Sequence, residues 1–303
     1  MNVINSLLKL NLLGEIKLLN GLIDLMKPRV MSLVIFTCAV GLLTAPNHIY
    51  VFDAILSIGF VTLGAGAAGA LNMWYEADLD KLMSRTCLRP IPTGKVNKSQ
   101  ALIFGLALSI ISIYGLYYFS NILSALILSF TIFFYVVVYT VWLKRRTPQN
   151  IVIGGAAGAL PPVIGWTITT GNLSLEAVSF FLIIFFWTPS HFWALSLYKA
   201  EDYRLAKIPM LPVISGIQNT KINILVYSLL MLPVLYLPYH IGFVGNLFAI
   251  LCLPLTIYYN YICFDLYKDA KHKFNILKAK KVFSYSIIYL FAIFVLFLAD
   301  SFV

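Results

Sequence analysis

The chain has 303 residues, of which 60% are hydrophobic and only 11% charged, and its mean hydropathy is +0.88, against roughly 45–50% apolar content in soluble domains. This excludes a soluble globular enzyme and predicts a polytopic, all-α membrane protein. The net charge of +10, 22 basic against 12 acidic side chains, does not imply nucleic acid, because the basic residues fall where membrane topology requires them.

The first 29 residues set Lys9, Lys17, Lys27 and Arg29 among leucines, with Glu15 and Asp24 mixed in. That acidity, and the lack of a short apolar region ending in small residues, argues against a transit or signal peptide. An interfacial amphipathic segment over 1–29 is expected, leading into a first span that begins before Pro28. Runs able to cross a hydrocarbon core of about 30 Å then fall at 30–44, 54–75, 99–118, 123–142, 151–169, 177–198, 222–239, 243–263 and 282–299. Turn signals separate them at Ala45-Pro46-Asn47, Ser120-Asn121, Gly171-Asn172 and 242–246. On this nine-span map all 22 lysines and arginines lie on one side, and the opposite loops carry only Asp53, Glu176 and Asp300 as charges. The positive-inside rule then predicts a cytoplasmic N-terminus and an outer C-terminus, within one integral domain spanning 1–303.

Some features carry little chemistry. Cys38, Cys87, Cys252 and Cys263 have no CxxC spacing, and all but Cys87 lie in apolar runs as small buried thiols. An internal echo links 64–72 (GAGAAGALN) with 154–162 (GGAAGALPP). Small residues four apart, including Gly154 and Gly158, let helices approach closely in lipid. His48, His240 and His272 fall near membrane edges or in loops and receive no role.

The chemically loaded stretch is 72–94, NMWYEADLDKLMSRTCLRPIPTG, directly after an apolar run. Ionisable groups near a bilayer cost free energy and imply a function with a partner. If the second span continues as a helix, Asn72, Glu76 and Asp80 stand at i, i+4 and i+8, each step drifting about 40°, and form one polar stripe. Asp78 lies about 200° from Glu76 in that helix and joins the stripe only if the last turn unwinds. Carboxylates four apart repel unless a cation sits between them, and oxygen-only ligands favour Mg²⁺ held together with substrate phosphates. Arg85, Thr86, Arg89 and Lys95 follow as donors suited to phosphate oxygens. A second acidic site, with Lys199, Glu201 and Asp202, sits on the same membrane side. A solvated mixed-charge loop is the plainer alternative, and the second site argues against it.

Two further groups stand out. His191 lies 11 residues before Asp202, about 20° apart in a continuous helix and roughly 16 Å along its axis. It reads either as a haem-iron ligand or as a hydrogen-bonded interior histidine, with Pro189 able to bend this helix and weaken the geometry. Lys144, Arg145 and Arg146 sit at the inner mouth of the fourth and fifth spans, as topology anchors or as contacts for haem propionates or a diphosphate.

The stretch 72–80 resembles NxxxDxxxD, the first motif of the intramembrane aromatic prenyltransferase superfamily, and Asp202 matches the terminal acid of its second motif. The longer strings NMWYEADLDKLMSRTCLRPIP, LKRRTPQNIVIGGAAGALPPVIGW (143–166) and HFWALSLYKAEDYRLAKIPMLPV (191–213) are similar to the haem-farnesylating family within it, along most of the chain. The resemblance implies a nine-helix bundle around a central cavity, with a polar cap for Mg²⁺ and farnesyl diphosphate, and transfer of a farnesyl group to a vinyl of haem b with addition of water, giving haem O. It implies Asn72, Glu76, Asp80 and Asp202 as metal and diphosphate residues, Asp78 with them if the helix end unwinds, and Arg85, Arg89, Lys95 and Lys199 as phosphate contacts. Glu76 stands where the simple motif has Asp, which keeps the charge and adds a methylene.

A bacterial inner membrane is implied, or else the mitochondrial inner membrane, with a haem-modifying enzyme or terminal oxidase downstream. Two rivals remain: a prenyltransferase with a quinone-precursor acceptor, and a cation-coupled transporter. Transporter sites tend to lie near the midplane on broken helices, whereas these acids cluster at the inner ends of the second and sixth spans.

Overall fold

The computed structural model describes residues 15–269 and 275–303, and every regular element among them is helical. In chain order these are α1 (Glu15–Leu25), α2 (Pro28–Leu43), α3 (Val51–Tyr75), α4 (Ala77–Asp80), α5 (Lys98–Phe119), α6 (Ile122–Phe133), a π-helical segment (Phe134–Leu143), α7 (Asn150–Ala159), α8 (Pro161–Thr170), α9 (Leu175–Tyr198), α10 (Ala200–Leu205), α11 (Leu211–Ile214), α12 (Gly216–His240), α13 (Asn246–Lys268) and α14 (Ile276–Asp300). Eight helical stretches are long and apolar enough to cross a membrane, with α6 and the π segment counting as one and α7 and α8 as another. The ninth candidate is the bent pair of α1 and the helix after it, which meet at 53°. The chain is a multi-pass membrane protein. The expectations for 1–14, and for Lys271, His272 and Lys273, lie outside the described residues.

The first span departs from expectation. It does not run unbroken from before Pro28: Lys27 takes a left-handed φ of 56°, and Pro28 opens α2 at its first position. Proline has no N–H to donate and its ring fits only the first turn of a helix. The expected fifth span is interrupted at Leu160, where Pro161 opens α8 at its first position, but Leu160 keeps right-handed helical angles and α7 and α8 still count as one span. The α12 helix begins six residues before the expected 222 and so takes in Lys221, which is buried and donates to the Asp269 carbonyl at 2.9 Å.

The bundle closes by backbone proximity where side chains are missing. A Cβ on Gly41 would lie 2.1 Å from the Pro162 carbonyl oxygen, and one on Gly165 1.9 Å from that of Cys38, so α2 and α8 touch through two glycines. Gly154 admits the ring of Tyr139 and Gly155 admits Thr188, whereas Gly158 faces open space and does not join the close packing expected of it. Opposite the basic end, Trp166, Phe180, Phe243, Phe248, Phe294 and Phe297 pack, mostly edge to face or tilted, into one aromatic cluster. Beside it Asp300, at the end of α14, accepts from the backbone N–H groups of Gly245 (2.6 Å) and Phe248 (3.0 Å), capping α13 from another helix.

Candidate active site

The α3 helix delivers its polar residues at its end, as the four-residue spacing requires. Asn72 is 2% exposed, Glu76 1% and Asp80 0%. The helix breaks at Glu76 (φ −91°, ψ 9°) and resumes as the single turn α4. Even so, Asp78 does not join the others. Its side chain is 56% exposed and pairs with Arg145 at 3.1 Å. Two residues from Glu76 remains nearly the opposite face of a helix, and the break does not undo that rotation.

Each polar group of the stripe meets its own basic partner. Lys27 Nζ donates to Asn72 Oδ1 at 2.7 Å, Lys144 Nζ to Glu76 Oε2 at 2.6 Å, and Arg89 donates to both oxygens of Asp80 at 2.8 and 2.9 Å. The second motif swings in on α10. Asp202 accepts from Ser84 Oγ at 2.8 Å, which ties it to the loop after α4, and lies 3.7 Å from Lys199. Glu201 turns outward to Arg204. Burial alone raises the Glu76 carboxyl; the ammonium of Lys144, with Lys27 and Arg89 behind it, outweighs burial and holds it below the usual carboxylate range. Burial also opposes ionisation of Asp78, and the Arg145 hydrogen bond overrides it there.

The π segment explains why Lys144 reaches Glu76. With i→i+5 bonding, Tyr135, Tyr139, Thr140 and Lys144 fall on one face over ten residues, where such winding is mostly confined to single turns and often marks functional sites. Thr140 Oγ1 accepts from Asn72 Nδ2 at 3.1 Å and donates to the Tyr135 carbonyl at 2.8 Å. Tyrosine rings line the cations: Tyr135 lies 5.9 Å from Lys27 Nζ, Tyr139 5.8 Å from Lys144 Nζ, and Tyr75 5.1 Å from the Arg145 guanidinium, all within cation–π reach.

The remaining expected residues separate. Arg85 and Arg146 are exposed at the rim. Lys95 is turned to Asp24 of α1 at 3.4 Å. His191 packs between the rings of Trp187 (4.3 Å) and Phe283 (4.6 Å), with Nδ1 2.7 Å from Ser286 Oγ, the surroundings of an interior histidine. Asn150, at the start of α7, is buried with its Oδ1 unpartnered.

As to metal, no group of three or more His, Cys, Asp or Glu side chains among the described residues is arranged to enclose an ion. The donors present are hard oxygens, the buried carboxylates of Glu76 and Asp80 beside the Asn72 amide, with Glu76 Oε1 in contact with the Lys144 ammonium alone. Such a set suits Mg²⁺, which keeps waters and takes one or two carboxylates plus substrate phosphates instead of a protein cage. Lys27, Thr140 and Ser84 were not singled out from sequence as site residues, and Lys144 only as one of three basic residues with two possible roles.

Residues 33–287 match the model of the UbiA prenyltransferase family. The chain is 67% identical over 301 residues to a protoheme IX farnesyltransferase of Pelagibacter ubique, covering 99% of each chain. It is 50% identical over 277 residues to protoheme IX farnesyltransferase 2 of Mesorhizobium japonicum, covering 91% of this chain and 88% of that one. Among solved structures, a digeranylgeranylglyceryl phosphate synthase superposes with a TM-score of 0.78 at 19% identity over 94% of this chain and 98% of that one. A UbiA homologue from Archaeoglobus fulgidus bound to DMAPP and Mg²⁺ superposes with a TM-score of 0.66 at 17% identity, over 91% and 99%.

Proposed function

The chain belongs to the UbiA prenyltransferase family, and from that premise we propose that it transfers the farnesyl group of farnesyl diphosphate to a vinyl group of haem b, with addition of water, to give haem O. The acceptor rests on the likeness to proteins named protoheme IX farnesyltransferase. The observation that carries the diphosphate half is the buried stripe of Asn72, Glu76 and Asp80, each with its own basic partner and with Asp202 tied in by Ser84.

Asn72, Glu76, Asp80 and Asp202 hold Mg²⁺ by their oxygens in this reading. Bound Mg²⁺ neutralises charge developing on the departing diphosphate. Lys144, Arg89 and Lys199 bind phosphate oxygens, and electrostatic stabilisation of that kind is usually the largest contribution to such a barrier. Arg85 sits at the rim to meet the same phosphates, and Arg145 and Arg146 the haem propionates. The rings of Tyr135 and Tyr139 offer π faces to an allylic carbon with cationic character. Asp78 has no part, being paired outside the stripe. His191 serves the packing of α9 against α14. The basic end faces the cytoplasm by the positive-inside rule, in a bacterial inner membrane.

The test incubates the purified protein in detergent with haem b, farnesyl diphosphate and Mg²⁺ and follows the pigment by mass spectrometry. Farnesylated, hydrated haem is expected. No such product, while a parallel farnesyltransferase preparation makes it, refutes the reading.

A further inference from the structure

We infer that Lys144 and Arg89 keep the divalent cation out of the site until a diphosphate arrives, so that metal and diphosphate enter only together. The inference rests on the proposed function and concerns the order in which its ligands bind.

The argument starts from burial. Glu76 and Asp80 are 1% and 0% exposed, and a buried carboxylate without a partner is far too costly to leave bare. Both are therefore satisfied by the chain itself, Glu76 by the Lys144 ammonium and Asp80 by a bidentate Arg89 guanidinium. Asp202 is likewise held by Ser84 and Lys199. Three carboxylates of the two motifs thus face three basic groups, and no net negative charge is left to draw in a bare divalent cation.

An entering Mg²⁺ on its own has to displace Lys144 or Arg89 from its acid. The displaced charge is then stranded beside the metal, where like charges repel. A diphosphate removes that obstacle. Its oxygens accept from Lys144, Arg89 and Lys199, and each donor that turns to phosphate frees a carboxylate oxygen for the metal. The ammonium of Lys144 suits such an exchange, being a compact charge on a flexible four-carbon stem. Both oxygens of Glu76 lie against Lys144 Nζ, Oε1 at 2.5 Å and Oε2 at 2.6 Å, so a turn of that one ammonium frees the whole carboxylate. The same basic groups serve in turn as guards of the acids and as hosts of the leaving group.

The experiment uses the full chain in detergent and Mn²⁺ as the probe, reading free Mn²⁺ by electron paramagnetic resonance, with and without the unreactive analogue farnesyl thiolodiphosphate and with a protein-free control. Wild type is expected to bind Mn²⁺ weakly alone and on the order of tenfold or more tightly with the analogue, the worth of one charged hydrogen bond. Lys144→Gln and Arg89→Gln are expected to bind Mn²⁺ alone more tightly than wild type by about the same factor, while binding the analogue less tightly.

Wild type holding Mn²⁺ alone as tightly as with the analogue overturns the inference and leaves the function standing. Absence of Mn²⁺ binding under every condition overturns the metal-diphosphate reading itself. Unchanged metal-only affinity in both glutamine variants, each checked for a native size-exclusion profile, removes the role given to Lys144 and Arg89. The wild-type comparison can still overturn the order of binding even if neither variant folds.

Discussion

Gly41→Ala and Gly165→Ala test the reasoning about helix contact most sharply. The new methyl on residue 165 would lie 1.9 Å from the Cys38 carbonyl oxygen and 2.9 Å from the Leu42 nitrogen, and that on residue 41 would lie 2.1 Å from the Pro162 oxygen. Side-chain β-carbons do not come within 3.0 Å of other heavy atoms, so α2 and α8 must part by about 1.1 Å for Gly165→Ala and about 0.9 Å for Gly41→Ala. The obstacle is backbone and cannot rotate away. Each variant should therefore cost about 3 kcal/mol, the upper end of the range for over-packing. The two glycines share one helix contact, so the double variant should cost less than the sum of the singles, as coupled sites do. Because α2 carries Lys27 at its start, both variants should also raise the KM for farnesyl diphosphate. Unfolding in detergent, followed by size exclusion after graded heating, measures the first effect. Two single variants as stable as wild type, or a strictly additive double, would refute the packing argument.

Other expectations separate the acids. Asp80→Ala and Asp202→Ala should each abolish farnesyl transfer while inserting normally, read as product by mass spectrometry and as protein in the membrane fraction; a near-normal rate in either removes its metal role. Asp78→Asn should keep turnover within about twofold and cost under ~1 kcal/mol, because its pair with Arg145 is a surface one; a loss matching that of Asp80→Ala would return Asp78 to the metal site. Asp300→Ala leaves the N–H groups of Gly245 and Phe248 without their acceptor and should cost about 1–2 kcal/mol, as a lost helix cap does, seen as a lower melting temperature that Asp300→Asn partly restores. Charge reversal at Arg146 should raise the KM for haem, and unchanged kinetics with normal insertion would remove its contact with propionates.

The architecture was legible because lipid imposes it. Spans need about 20 apolar residues, and eight such stretches, or nine with the bent first pair, stand among the described residues. Asn72, Glu76 and Asp80 were legible from their spacing, since four residues return to the same helix face. Their partners were not. Lys27 lies 45 residues from Asn72, and Lys144 lies 68 from Glu76, and nothing local distinguishes either from a topology anchor. Asp78 could be resolved only by structure, because the sequence does not say whether a helix end unwinds or which way its side chains then turn. Lys95 looked equal to Arg89 as a phosphate donor, yet one turns to Asp24 and the other to Asp80. The π winding of FYVVVYTVWL is invisible in the letters, which read as any apolar span.

That winding makes one stretch of the protein intolerant of a kind of change that the rest survives. Most membrane-facing positions accept any apolar side chain, and loops accept added residues. Between Phe134 and Leu143 the number of residues matters more than their identity. Removing one would break the i→i+5 register that sets Tyr135, Tyr139, Thr140 and Lys144 on one face, and with it the reach of Lys144 to Glu76 and of Thr140 to Asn72. Substitutions there should drift freely while insertions and deletions are purged, so homologues of this chain should keep that segment at constant length while its letters vary.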